Sequence, residues 1–412
     1  MIEKYFRNQR FAERHRAGPL RPYIDAFIAT LEAQGYAKRS LPYYVCLIGK
    51  FNRWLQCAGV ELVGMDEIST GDFLHSRNRN DCVRRGEVAV LKALLEYLRE
   101  AGVVARPIVH IASDPVDRVT GDFADYLRQE RGVSVSTVVN YCPVARLFLS
   151  ENWSDGFVNG KLLSARDVQQ FVLRHAHEHG PKRAQLLLTA LRSLLRFMHL
   201  RGQTDIALAE HVPKVAVWRL ATLPKFLGAD EVEKTLRHCD RRRIMGRRDY
   251  ALLLLLARLG LRAGEVLTLE LGDIHWDAAE IVVRGKGPQR KCFPLSQEIG
   301  QALAAYLRTA RPPCDSRRVF VRTRAPFRGL GHPSSVSTIV ARALARAGLA
   351  PPSKGAHLFR HSLATEMLRN GASLGEIGQI LHHKSPDTTA IYAKVNLVAL
   401  QNLAQPWPGN KP

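Results

Sequence analysis

Acidic residues are scarce in this chain. Its 412 residues hold 38 Asp plus Glu against 60 Lys plus Arg, a formal net charge of +22. The imbalance favours a polyanionic partner, because a basic surface releases condensed counterions when it neutralises phosphates. A membrane surface fits less well, since the charge is spread along the chain rather than gathered on one amphipathic helix. Long apolar runs are missing too. The longest, Ala251 to Ala257, is far too short to span a bilayer. The segment Met1 to Arg16 is charged throughout and lacks the apolar core of a signal peptide. Cysteines are few: Cys46, Cys57, Cys82, Cys142, Cys239, Cys292 and Cys314. Their number is odd and no two form C-x-x-C, so reduced thiols in the cytoplasm are expected, without a disulfide framework or zinc site. No G-x-x-x-x-G-K-[ST] loop for nucleotide phosphates is present.

What is there is enough apolar material, 46% of residues, for two or three packed domains. Residues 1–20 read as a basic tail. Helical periodicity runs over 21–105, with Tyr23, Ile24, Phe27, Ile28 and Leu31 on one helix face. Residues 106–115 carry two prolines and read as a linker. The pattern then returns over 116–203. Gly35, Ser40, Tyr44 and Phe51 have the same intervals as Gly132, Thr137, Tyr141 and Phe148. Leu91, Leu94, Leu95, Tyr97 and Gly102 match Leu191, Leu194, Leu195, Phe197 and Gly202, each shifted by 100. Two matched blocks favour a duplicated helical module over chance recurrence. Residues 204–224, with Pro213 and Pro224, read as a second, basic linker, and 225–412 as the last domain.

That last domain mixes helices with a little sheet. Tyr250 to Leu259 predicts an apolar helix ended by Gly260, which leaves Arg262 just beyond it. Ala279–Arg284 and Lys291–Leu295 predict a hairpin turned at Gly285-Lys286-Gly287, and Val319–Val321 a third strand. Helices are expected at Ser334–Ala347, His357–Asn370 and Leu374–Leu381. Ser385-Pro386-Asp387 opens a short one that carries Tyr392. The apolar stretch Asn396–Ala404 predicts one more.

Three pieces of this domain stand out: Gly260-Leu261-Arg262-Ala263-Gly264-Glu265, His357-Leu358-Phe359-Arg360-His361, and Leu381-His382-His383 followed by Tyr392. Each alone is weak. H-x-x-R is more often a helix-surface pair, and Tyr392 is one of eleven tyrosines. Their joint order is harder to explain by chance. Arg360 to His383 is 23 residues and His383 to Tyr392 is 9. The array resembles the catalytic domain of tyrosine recombinases, the integrase family, and both intervals match that family's pattern.

The chemistry explains the residue types. A phosphodiester transition state loads charge onto two nonbridging oxygens, which Arg262 and Arg360 can clamp with paired hydrogen bonds. Tyr392 is the candidate nucleophile, forming a 3′-phosphotyrosine. Lys286, at the hairpin tip, is the candidate general acid for the leaving 5′-oxygen. His357 can take the tyrosine proton or touch a phosphate oxygen, and His383 can donate to a nonbridging oxygen. By resemblance, Glu265 stands where the family has an acidic residue that orients an arginine and the histidine, and Lys291 fills a second basic position. His382 stands where the family usually has Gly; the interval of 9 to Tyr392 favours His383 as the site histidine. His175-x-His177-x-His179 spreads around a helix axis and is rejected as a metal site.

The resemblance implies a mainly α protein with an α+β catalytic domain bearing a small antiparallel sheet, preceded by two helical DNA-binding-like modules. Residues 116–203 resemble the family's core-binding domain, and the module at 21–105 is an extra copy. It further implies double-stranded DNA as partner, a homotetramer on DNA, with or without partner recombinases, and no cofactor or metal. A mobile element is the expected setting. The rivals are a type IB topoisomerase and a catalytically silent accessory subunit.

Overall fold

The computed structural model describes residues 18–77, 85–106, 114–153, 159–178, 180–214, 223–285, 290–383 and 385–395. The chain forms two compact units, one of residues 1–104 with 222–412 and the other of residues 105–221.

The first unit begins with helices α1 (Arg21–Ala33), α2 (Leu41–Ala58), α3 (Glu67–Ser76) and α4 (Arg85–Glu100). Pro22 in the first turn of α1 pre-sets its dihedrals at no hydrogen-bond cost. Ile24, Phe27, Ile28 and Leu31 then fall on one face and are buried. Gly59, at φ 66°, supplies the left-handed cap that ends α2. Asp66 caps α3 by accepting from the Ser69 amide at 2.8 Å. Arg99 ties α4 to α3, donating to both Glu67 carboxylate oxygens at 2.8 and 2.9 Å.

The second unit runs through α5 (Pro115–Asp125), α6 (Val135–Asn152), α7 (Ala165–Ala176) and α8 (Pro181–Leu200). It repeats the order of the first four helices, including a single 3₁₀ turn between the second and third: Leu62–Gly64 in one, Gly160–Leu162 in the other. The packing repeats as well. Phe27 and Tyr97 meet at 5.4 Å and 48°, Phe123 and Phe197 at 5.5 Å and 48°. Phe51 contacts Phe73 at 5.0 Å, and Phe148 contacts Phe171 at 5.1 Å. The matched intervals in the sequence thus correspond to matched aromatic contacts. Two expected boundaries differ. Pro115 opens α5 rather than closing a linker. The linker expected at 204–224 instead starts with a 3₁₀ turn, Leu208–His211, whose Leu208 joins Val212 in this unit's core. Arg192 fixes it by donating to the Pro213 carbonyl at 2.7 Å. Burial of two aliphatic side chains outweighs the loop signal of the prolines.

The rest of the first unit comprises α9 (Ala229–Arg237), α10 (Ile244–Arg258), α11 (Ala263–Thr268), strands β1 (Ile274–His275), β2 (Glu280–Arg284) and β3 (Arg290–Pro294), then α12 (Gln297–Thr309), α13 (Pro333–Arg346), α14 (His357–Arg369), α15 (Leu374–Ile380) and α16 (Pro386–Thr389), followed by a 3₁₀ turn Ala390–Val395. Leu252 to Leu256 are all buried, so α10 is a central helix packed on every side. The sheet is antiparallel in the order β1-β2-β3, with Val282 opposite Cys292. Val319–Val321 is not its third strand; Ile274–His275 is. Val319 to Val321 are buried, and their backbone is satisfied elsewhere: the Val321 amide donates to the Tyr306 hydroxyl at 3.3 Å and the Val319 amide to the Leu269 carbonyl at 2.9 Å. The helix expected at Asn396–Ala404 lies outside the described residues. Among the described residues, no helix is long and apolar enough to cross a membrane.

Candidate active site

Gly260 ends α10 at φ 60°, a conformation that suits Gly. A side chain there would also collide with Leu381, whose Cδ2 lies 2.7 Å from the position of a Cβ. The sharp exit delivers Arg262 to the start of α11. Glu265 receives it: the buried carboxylate accepts from the Arg262 amide at 2.8 Å and from its Nη1 at 3.0 Å. Glu265 therefore caps the helix and aims the guanidinium with the same two oxygens.

Arg360 sits one turn into α14 and is buried. It donates to the Gly260 carbonyl at 2.6 Å and the Leu381 carbonyl at 2.5 Å. Among the described residues no carboxylate pairs with it. Burial, with Arg262 adding repulsion, pulls its guanidinium down to about 10. Two neighbouring cations, one of them desolvated, leave the site short of negative charge. An anion entering between them would relieve both costs.

Tyr392 lies in the 3₁₀ turn after α16 and is only 1% exposed. It packs in a small cluster with Ala364, Leu368, Ile377 and Leu381. Burial pushes its phenol up to about 12, although Arg360 and Arg262 pull the other way. His361 Nδ1 is 2.9 Å from its hydroxyl. The His383 ring lies nearly parallel to the Tyr392 ring, at 6.4 Å and 9°. His383 Nδ1 is 2.7 Å from the Thr389 hydroxyl, which fixes the ring. Its imidazole is lowered to about 4, first by burial, then by Arg360 and Arg262.

His382 and His383 separate cleanly. His382 has φ 51°, the left-handed region that favours glycine. Its Nδ1 meets the Gln379 carbonyl at 2.6 Å and its ring stacks on Phe293, away from Tyr392. Lys291 on β3 donates to the His382 carbonyl at 3.4 Å and lies 3.9 Å from Glu265. So Arg262, Glu265, Lys291, Arg360, His383 and Tyr392 converge. His357 joins at the edge, exposed on one side, its ring 6.4 Å from that of His361. Loss of hydration on its inner side and the two arginines lower its pKa. Lys286 lies outside the described residues. The residue that sequence reasoning passed over is His361. Its signal was available: it is one helical turn from His357 and adjacent to Arg360.

Residues 225–397 match the model of the phage integrase family. A chain from Sinorhizobium fredii named as an integrase/recombinase, y4rA, is 44% identical over 98% of this chain and 99% of its own. The chain belongs to the phage integrase family. Tyrosine recombinase XerD of Listeria monocytogenes is 31% identical over 68% of this integrase-family chain and 95% of its own. The solved structure of XerH site-specific recombinase, in a post-cleavage complex with a palindromic difH substrate, has the same fold: TM-score 0.55, 19% identity, 88% of this chain and 95% of that one. The match with y4rA covers 98% of this chain and so includes the residues of the first helical module.

Proposed function

We propose that this integrase-family protein exchanges DNA strands at specific sites through a 3′-phosphotyrosine intermediate, as the recombinase of a mobile element. As a tyrosine recombinase it cleaves and rejoins DNA. The observation that carries the mechanism is Tyr392, held between histidines and close to two arginines of which one, Arg360, is buried and has no carboxylate partner among the described residues. A scissile phosphate supplies the missing negative charge. Arg262 and Arg360 bind its nonbridging oxygens, and their contacts strengthen as charge builds in the transition state. The Tyr392 oxygen attacks phosphorus, and its proton passes to His361, which already touches it. The bond to the 5′-oxygen breaks, and that oxygen takes a proton from Lys286. His383 steadies a nonbridging oxygen. Rejoining reverses the step: a 5′-hydroxyl attacks the phosphotyrosine and Tyr392 recovers its proton. The ester retains the energy of the broken bond, so the proposed exchange draws on no ATP.

Because Tyr392 is 1% exposed, its hydroxyl must be uncovered on DNA before attack. Assembly of protomers on two sites, four in all by analogy with the family, supplies that trigger in this reading. The same reading places the protein in the cytoplasm with the element's DNA. The test is covalent trapping on a nicked substrate made from the element's ends. Wild type should yield an adduct, and Tyr392→Phe should bind the same DNA without one. An adduct formed by Tyr392→Phe would move the nucleophile elsewhere. Relaxation of supercoils without strand exchange between sites would favour a topoisomerase.

A further inference from the structure

Two parts of the first unit meet around Gly35 and Phe327. Gly35, between α1 and α2, has φ 82°. The Phe327 ring lies against it so closely that a Cβ would stand 2.2 Å from a ring carbon. The Phe327 amide also donates to the Gln34 carbonyl at 3.4 Å. Phe327 is carried on a loop ahead of α13, closed by a bridge between Val321 and Gly329 and by the Arg322 amide donating to the Arg328 carbonyl at 2.9 Å. The corresponding turn of the second unit differs: Gly132, at φ 56°, has nothing within 4 Å of its Cβ position among the described residues.

Beside this contact runs an open groove of about 1120 Å³. Arg39 and Lys92 line it from the helical module, and Arg322, Arg324 and Arg328 from the loop. Among the described residues none of these five cations pairs with a carboxylate. The groove's own acids, Glu67 and Glu96, are both engaged by Arg99 at 2.8 and 2.9 Å. Tyr36 offers a flat, half-buried ring, close enough to Arg322 and Arg328 to feel their charge. Arg99 offsets one of the two carboxylate charges of Glu67 and Glu96, so five cations from two separate parts face a single residual acid charge and on balance repel one another. That repulsion opposes the docking held by Phe327 unless an anion lies between them. A single small anion fills little of a groove of about 1120 Å³ and offsets little of its charge, whereas a run of phosphates can do both.

We propose that this groove is a second DNA site, which takes the phosphodiester backbone of duplex outside the cleaved sequence and thereby clamps the extra module to the catalytic part. The proposal rests on the recombinase reading for its choice of polyanion. Its contacts are to phosphates, so they position the duplex without reading bases.

The experiment measures binding of the full-length chain to a fluorescent 40-base-pair duplex of arbitrary sequence over a salt series. Arg322→Ala/Arg328→Ala and Arg39→Ala/Lys92→Ala are compared with wild type. Each double variant should flatten the slope of log affinity against log salt by about 2, one unit per lost phosphate contact. A photo-crosslinking residue at Tyr36 should attach to DNA. Wild-type slopes in both variants, or a crosslink to a second protein chain in place of DNA, would overturn the proposal. Wild-type adduct formation on the nicked substrate is scored separately. An adduct with unchanged slopes removes the groove alone. Flattened slopes without any adduct uphold the groove and remove the strand-cleavage reading.

Discussion

Tyr392 and three histidines near it differ in what their surroundings permit. Tyr392, pushed up to about 12, is a neutral phenol at physiological pH and needs a base. His361 stands 2.9 Å away, while His357 occupies the edge. His361→Gln should therefore slow single-turnover cleavage by about 100-fold, the lower end for a general base. Its rate should recover as pH rises, because hydroxide can then take the phenolic proton. His357→Gln should cost less and keep the wild-type pH profile; a reversed order of the two variants would restore the base role to His357. His383 makes a stability prediction. Its imidazole falls from an ordinary 6.5 to about 4 in the fold. Above pH 6.5 both folded and unfolded chains hold it neutral, and its effect vanishes. As pH falls from 6.5 toward 4 the unfolded chain gains a proton that the folded chain refuses, so stability drops. His383→Gln should flatten the fall in Tm across that window. An unchanged pH dependence would mean that the ring is solvated in the native state.

At the scale of elements, turns carry the differences between the two helical repeats. Gly35 and Gly132 follow the first helix of their repeats and share positive φ, but only Gly35 lies under an aromatic ring. Gly132→Ala should cost about 1 kcal/mol, the price of a left-handed alanine. Gly35→Ala carries that strain and must also displace Phe327, so its Tm should fall further. Pairing Gly35→Ala with Phe327→Ala should recover part of the difference in a double-mutant cycle. Additive losses would show that the ring does not bear on this turn. The same logic of turns explains His382. It sits at φ 51°, and its stacking on Phe293 with a bond to Gln379 offsets the conformational strain.

Across the whole molecule, the two units own separate apolar cores, one around Phe148 and Phe171, the others built within residues 1–104 and 222–412. Phe148 is fully buried. Phe148→Ala should destabilise its unit by about 3–5 kcal/mol. Hydrogen exchange followed by peptide should show faster opening across 105–221, with peptides of α10 and α14 left at their wild-type rates. Uniform acceleration over the chain would mean that the units unfold as one.

Sequence alone determined the things that depend on local order. Helical faces, the repeated intervals and the chain order of Arg262, Arg360, His383 and Tyr392 are written in residue spacing, because a helix or a hairpin converts spacing directly into geometry. Their order was legible in the chain, while their coming together over such separations was implied only by the family resemblance. Tertiary structure decided what depends on neighbours distant in the chain. Whether Val319–Val321 joins the sheet is settled by which backbone groups Leu269 and Tyr306 already satisfy. Leu208 and Val212 became core rather than linker because an apolar cluster elsewhere in the chain had room for them. His361 touches the Tyr392 hydroxyl, 31 residues away, only because α14 and the turn after α16 close the same small cluster. The cations of the groove, far apart in sequence, are brought together beside the contact of Phe327 with Gly35. Burial and charge act through space, and no interval along the chain encodes them.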